Sequence, residues 1–350
     1  MASSTASTLY PKITTHINEV IDILKELNSD ASSLGTKVAL NPMPIIGTVK
    51  LHGTHADILV HSDDSIVFQS KGVVGISSTR DNAGFATAMS QKTKSLLRLR
   101  DLFVARFTQL NPNTPLDLAQ PVLIAGEWIG KSIQKDVAIA QLSKRFVIVS
   151  VNINGQWQKD SGYGGIALPN HDIYNISRAG VFHRTLCPEN IQHTTDELQI
   201  LAEDVAKRCP FAATFGLDGE GEGIVWKPAH APHNANPNLW FKTKGGRFKP
   251  TYAPRPSRQC HESAEQNRLA AAEVAKIWTS ELRLEQGLDN LRERQIKINL
   301  RGLGAFLKWV QNDIAVEERR YIAENRIDVP TLRIEIAKIA RSWYGDRLEQ

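Results

Sequence analysis

The chemistry in this sequence begins at Val49-Lys50-Leu51-His52-Gly53-Thr54. A lysine closes an apolar run from Pro44 to Val49. A His-Gly turn follows at once, and then a second strand-like run from Ala56 to Val60. This pattern predicts a primary amine at a strand end, beside backbone that a ligand can approach closely because Gly53 has no side chain. An amine is a nucleophile only when deprotonated, and burial or nearby positive charge lowers a lysine pKa. Further along lie groups that could serve such an amine. Gly126-Glu127-Trp128 ends one strand-like run and Arg145-Phe146 opens the next. Glu222-Gly223-Ile224-Val225-Trp226-Lys227 puts an acid at a strand mouth. Phe241-Lys242-Thr243-Lys244 alternates so that both lysines share one strand face. Singly, each is commonplace: a lysine-glycine turn is most often a surface turn, and alternating lysines are most often a solvated face.

The chain of 350 residues is long enough for two domains. Its 41% hydrophobic and 23% charged residues are those of a globular protein, and its net charge of +5 permits a polyanionic partner without demanding one. Helical spacing appears at 15–27, and a loop is predicted from Asn28 to Gly35. Ser90 to Leu110 reads as a basic amphipathic helix with Leu96, Leu97, Leu99, Leu102, Phe103 and Phe107 toward the core. Strands are predicted at 37–60, as a hairpin at 65–76, and at 122–128, 145–153, 223–226 and 239–248. Thr194-Thr195-Asp196-Glu197 predicts a capping box opening a helix to about Arg208. After a proline-rich stretch, Pro250 to Arg258, strand signals nearly vanish. Helices are predicted at 264–284, 303–314, 317–324 and 331–343. The predicted boundary lies near Tyr252 to Arg258.

Taken in order and at these separations, the clusters resemble the covalent nucleotidyltransferase superfamily of polynucleotide ligases and capping enzymes. The Lys-x-His-Gly form of the nucleophile motif, with His52 as the discriminating residue, is similar to the RNA ligase 2 type. So is Ile133-Gln134-Lys135-Asp136-Val137, set against the family's Ile-Gln-Lys-Asn-Val. The resemblance covers about Val38 to Phe248. It continues more weakly into Gly302-Leu303-Gly304-Ala305-Phe306.

The resemblance implies an α+β fold: a nucleotidyltransferase domain over 1–252, built as an ATP-grasp-like pair of antiparallel sheets, then a small all-helical domain over 259–350 that engages RNA ends. It implies an ATP-dependent RNA ligase that uses Mg²⁺ or Mn²⁺, forms a covalent lysyl-AMP and an RNA-adenylate, and joins a 3′-hydroxyl to a 5′-phosphate. Lys50 would be the nucleophile, and Lys242 and Lys244 would grip the α-phosphate. His52 would act near the departing pyrophosphate or the metal, which Glu222 would bind through water. Val49, Gly53, Lys71, Glu127, Phe146 and Lys227 would line the nucleotide site, with Glu127 on a ribose hydroxyl and Phe146 stacked on adenine. The lysines around Lys50 would lower its pKa by like-charge repulsion. One departure is Lys71, which stands where the family carries arginine; it keeps the charge but loses the planar two-donor fork.

Other readings remain open on the sequence: an RNA-binding or scaffold protein with a degenerate ligase domain, or a nucleotidyltransferase acting on another polynucleotide end. Gly126 to Ser132 imitates a phosphate-binding loop, but the pattern needs glycine at 125, where Ala125 stands. His230 and His233 have no third metal ligand nearby in sequence. Arg292, Arg294, Arg301, Arg319 and Arg320 would suit RNA phosphates if clustered. Cys187, Cys209 and Cys260 are far apart, which predicts a reducing compartment. The Ala/Ser/Thr-rich first nine residues read as a leader without a secretory signal, and no apolar run is long enough to span a bilayer. The expected partners are nicked or broken RNA ends and no membrane, for an intracellular monomer in cytoplasm or nucleus.

Overall fold

The computed structural model describes residues 8–31, 40–250 and 264–348. Two compact units divide it, Met1–Lys249 and Pro250–Gln350. The first opens with α1 (Ile17–Ala31), β1 (Met43–Lys50), β2 (Thr54–Val60), β3 (Ile66–Ser70), β4 (Val73–Ile76), α2 (Phe85–Ser90) and α3 (Thr93–Leu110). It continues through β5 (Val122–Ile129), β6 (Arg145–Ile153), β7 (Gln156–Trp157), β8 (Ile173–Asn175), β9 (Phe182–Leu186), α4 (Ile191–Lys207), α5 (Pro210–Ala213), β10 (Gly223–Pro228) and β11 (Phe241–Lys244). The second unit holds α6 (Ala264–Trp278), α7 (Glu281–Glu293), α8 (Leu303–Glu317), α9 (Arg319–Glu324) and α10 (Val329–Leu348). This is an α+β architecture followed by a helical unit.

Two sheets carry the first unit. One has the order β11-β10-β1-β9, with every pairing antiparallel. The other runs β4-β3-β2-β5-β6-β7, with β8 added parallel to β6. α4 lies against β10 and β11, and α3 against β2 and β5. The core under α3 is aromatic: Phe85 meets Trp128 and Phe146 at ring separations of 5.6 and 5.5 Å. Each such pair adds roughly 0.5–1.5 kcal/mol beyond its burial. Gly126 permits this packing, since a Cβ there would stand 2.4 Å from the Phe146 ring.

Several expectations are corrected. Leu96, Leu99, Phe103 and Phe107 are buried, but Leu102 is 38% exposed because it falls off the apolar stripe. The helix placed at the capping box starts three residues earlier. Thr194 is inside it, and its hydroxyl donates back to the Asn190 carbonyl instead of capping. Strand 239–248 shrinks to Phe241–Lys244, because the asparagine side chain at 236 folds 237–239 into a 3₁₀ turn and a second such turn takes 246–248. The helix predicted at 264–284 breaks at Ser280, which caps α7 by accepting from the Arg283 amide. α1 extends to Ala31, past the predicted loop start. β7, β8 and β9 were not predicted; they are short, and β9 is largely exposed, so none carries an apolar signal. The leader over residues 1–7, the rest of the loop to Gly35, the proposed boundary at Tyr252 to Arg258 and Cys260 lie outside the described residues.

The helical unit has its own core, in which Phe306 stacks with Trp343 at 6.0 Å and meets Tyr344 at 4.8 Å. Of its arginines, Arg292 pairs with Asp289 and Arg320 with Glu324, both within their own helices. No helix among the described residues is long and apolar enough to cross a membrane.

Candidate active site

Register brings the lysines together. β1 pairs with β10 so that Lys50 faces Gly223, Thr48 faces Val225 and Ile46 faces Lys227. β10 pairs with β11 so that Gly223 faces Lys244 and Val225 faces Lys242. Cross-strand partners share a sheet face. Lys50, Lys227, Lys242 and Lys244 therefore lie on one face, in successive rows.

Glu222 is the hub of the first row. One of its oxygens lies 2.6 Å from Lys50 Nζ and 3.4 Å from His52 Nδ1; the other lies 2.8 Å from Lys244 Nζ. The carboxylate is only 2% exposed. Burial alone would raise its pKa, but Lys244, Lys50 and His52 outweigh burial and hold it well below the ordinary carboxylate range. Lys50 departs from the sequence reading. Burial would lower its pKa, yet Glu222 and Glu127 overcome this and hold it above the ordinary lysine value. The expected like-charge repulsion is cancelled because Lys244 and Lys50 face opposite oxygens of one carboxylate.

The second sheet supplies the opposite wall. Glu127 accepts from the Gly53 amide at 3.1 Å, and Gln134 donates to the Gly53 carbonyl at 3.3 Å. A Cβ at Gly53 would stand 2.4 Å from the Trp128 carbonyl oxygen, so only glycine fits this turn. His55 links Glu127, at 4.0 Å, to Asp57, at 2.7 Å. Burial lowers its pKa, but Asp57 and Glu127 prevail over burial and over the opposing charge of Lys71, so the imidazole is easier to protonate than usual. Burial and Glu222 raise Glu127 against the pull of Lys50 and His55. Lys227 bonds Ser150 and, at 2.6 Å, Asp160, and lies over the Trp240 ring at 3.9 Å.

Two sequence-predicted residues point elsewhere. Phe146 pairs with Trp128, whereas Val147 pairs with Glu127. Alternation therefore turns the Phe146 ring into the core under α3, away from the Glu127 face, and rules out the expected stacking on adenine from this position. Val49 pairs with Ile224 on the reverse face of β1 and is 2% exposed, so its side chain does not line the cleft. Lys71 sits exposed in the β3–β4 turn. His52 packs on Phe248, with ring centres 4.7 Å apart.

Sequence reading also missed residues. Tyr10 lies 4.6 Å from His55, 5.2 Å from Trp157 and 6.1 Å from Trp240 between ring centres, and Thr8 bonds Gln69. Thr14 then accepts from the Lys242 amide, so the segment before α1 joins both sheets. Burial and the nearby Asp160 push the Tyr10 hydroxyl far above its usual pKa. Ser150 and Asp160 were likewise missed: Ser150 stands alone among apolar neighbours, and Asp160 lies in the polar turn Gln158-Lys159-Asp160-Ser161, which marks no particular residue for chemistry. Asp57 was missed as well. His55 had a signal in the Asp57 two residues on, the spacing that puts both on one strand face.

Among the described residues no three His, Cys, Asp or Glu side chains converge as a metal cage. His230 is exposed. A single buried carboxylate nevertheless fits a divalent cation that keeps several waters and arrives with substrate phosphates.

The family model described as RNA ligase matches residues 43–244, more than half of the chain. Among solved structures, the chain is similar to Naegleria gruberi RNA ligase. A lysine-to-methionine mutant with AMP and Mn has 14% identity and a TM-score of 0.41, over 68% of this chain and 56% of that one. The same ligase with PPi has 13% identity and a TM-score of 0.41, over 70% and 60%. An arginine-to-alanine mutant with ATP and Mn has 15% identity and a TM-score of 0.41, over 71% and 63%. This chain therefore spans less than two thirds of those chains. No curated protein matches it.

Proposed function

This chain belongs to the RNA ligase family, and from that premise we propose that it is an ATP-dependent RNA ligase with Lys50 as its nucleophile. The observation that carries the reading is the convergence of Lys50, His52 and Lys244 on the single buried carboxylate of Glu222.

In the first step the Lys50 amine, after giving up a proton to the solvent that reaches its partly exposed side chain, attacks the α-phosphorus of ATP. The bond to the β-phosphate breaks and pyrophosphate leaves. Glu222 holds Lys50 in place; as a carboxylate kept well below its usual pKa, it orients the amine and is a poor proton acceptor. Lys244 and Lys242 stand in adjacent rows where they can offset charge on the non-bridging oxygens. Glu127, fixed by the Gly53 amide, is placed to accept from a ribose hydroxyl. A divalent cation held by Glu222 through water, together with the nucleotide's phosphates, would neutralise further charge there when bound. In the second step an RNA 5′-phosphate oxygen attacks the AMP phosphorus, and the phosphoramide bond breaks to return Lys50. In the third a 3′-hydroxyl attacks the 5′-phosphorus and AMP leaves. The helical unit is assigned to engaging the RNA end, and the protein to acting as a monomer on nicked or broken RNA in the cytoplasm or nucleus.

Incubation with labelled ATP tests the reading. The wild type should gain one AMP in intact mass, reversed by pyrophosphate, and Lys50→Ala should gain none. RNA binding without any such gain would favour a degenerate, RNA-binding protein instead.

A further inference from the structure

We propose that His55, clamped by Asp57, is a positioning residue that holds Glu127 in place for a ribose hydroxyl. This rests on reading the cleft as the ATP site, with Glu127 at the ribose.

The three side chains share one face of the second sheet. His55 and Asp57 are two residues apart on β2, and His55 stands directly across from Glu127 on β5. Asp57 is fully buried, and one of its oxygens lies 2.7 Å from His55 Nε2. The other is buried and has no hydrogen-bond partner among the described residues, so this aspartate depends on the imidazole. Nε2 therefore keeps its proton for Asp57, and a change in the charge of His55 is felt at Nδ1, 4.0 Å from Glu127 Oε2. That distance is an ion pair and not a hydrogen bond. It acts on the oxygen that Glu127 has to spare, because Oε1 already accepts from the Gly53 amide. The Tyr10 ring packs against the imidazole, with ring centres 4.6 Å apart.

With Nδ1 protonated, a cation faces the spare oxygen and steadies Glu127 as a carboxylate. With Nδ1 bare, two lone pairs face each other, and Glu127 keeps only Lys50 against burial and the repulsion of Glu222. Asp57 and Glu127 draw the proton to His55, while burial and Lys71 oppose it. Tyr10 stays neutral, its hydroxyl being far above its usual pKa. The balance favours the charged imidazole. A histidine that only filled space on this sheet would give Glu127 nothing that changes with pH.

The test measures covalent charging of the full-length protein by intact mass, as kcat/KM, with ATP and with its 2′-deoxy and 3′-deoxy analogues. The ratio between nucleotides cancels the ionisation of Lys50, which all three share. The wild type should prefer ATP over at least one analogue by roughly 10- to 100-fold, the worth of a hydrogen bond to a charged acceptor. That preference should fade, chiefly through KM, as pH rises past the ordinary histidine value of about 6.5. Asp57→Asn should move the midpoint of that loss to lower pH. In His55→Gln, the amide can keep the Asp57 bond but sets no cation against Glu127. There the preference should be roughly tenfold smaller and should not vary with pH. A wild-type preference that stays constant from about pH 6 to 10 would overturn the inference, and that comparison needs no variant. Indifference of the wild type to both hydroxyls would overturn it too, as would an unchanged preference in folded His55→Gln. Charging by none of the three nucleotides would overturn the ligase reading itself and this inference with it.

Discussion

Glu222→Gln is the perturbation that most directly probes the site. Glu222 neutralises Lys50 and Lys244 at 2.6 and 2.8 Å, and all three side chains are largely shielded from water. Removing one member of a buried charge pair costs about 3–5 kcal/mol, because the remaining charge is left uncompensated. Here two lysines lose their counter-ion, so the variant should lose at least ~3 kcal/mol near pH 7.

The cost should follow pH in a defined way. The Glu222 pKa is depressed on folding, so its contribution is complete above the unfolded value of about 4.3 and fades as pH falls through the lower folded value. The Lys50 pKa is raised on folding, so its contribution is complete below about 10.4 and fades as pH rises through the higher folded value. The gap between wild type and variant should therefore be flat from about pH 5 to 10 and close outside that window. Urea unfolding of the full chain, followed by hydrogen exchange in peptides from β1, β10 and β11, reports this unit separately from the helical one. A gap under ~1 kcal/mol at pH 7 would refute the reasoning, as would one that fails to close at acid pH. Either result would mean that the carboxylate and the lysines are solvated apart.

Gly53→Ala should destabilise the first unit by about 1–3 kcal/mol, because the added methyl meets the Trp128 carbonyl, Ile129 and Glu127 within 3 Å. It should also lower AMP charging by breaking the Gly53–Glu127 bond; thermal melting and labelled ATP measure the two effects. Phe103→Ala should cost about 3–5 kcal/mol for a ring that is fully buried. Leu102→Ser, one residue away but 38% exposed, should stay within about 0.5 kcal/mol. Equal losses in urea titrations of the two would contradict the assignment of the α3 faces.

The sequence alone determined the order of the strands that bear chemistry, and which residue types occupy their ends. Val49-Lys50-Leu51-His52-Gly53, Glu222 before an apolar strand and the alternating Lys242 and Lys244 are local patterns. A period of two fixes that both of those lysines share a face, and a helix-rich tail is legible from spacing alone. What escaped it depended on contacts across long separations. Whether Phe146 or Val147 faces Glu127 turns on the β5–β6 register and its bulge, which one residue of shift would reverse. The Lys50 pKa moves up because folding sets Glu222, 172 positions away, between two ammonium groups. Tyr10 and Asp160 carry no motif. They join the site because backbone pairing draws the N-terminal segment and the turn after β7 to the same cleft, and only the tertiary structure supplies that proximity.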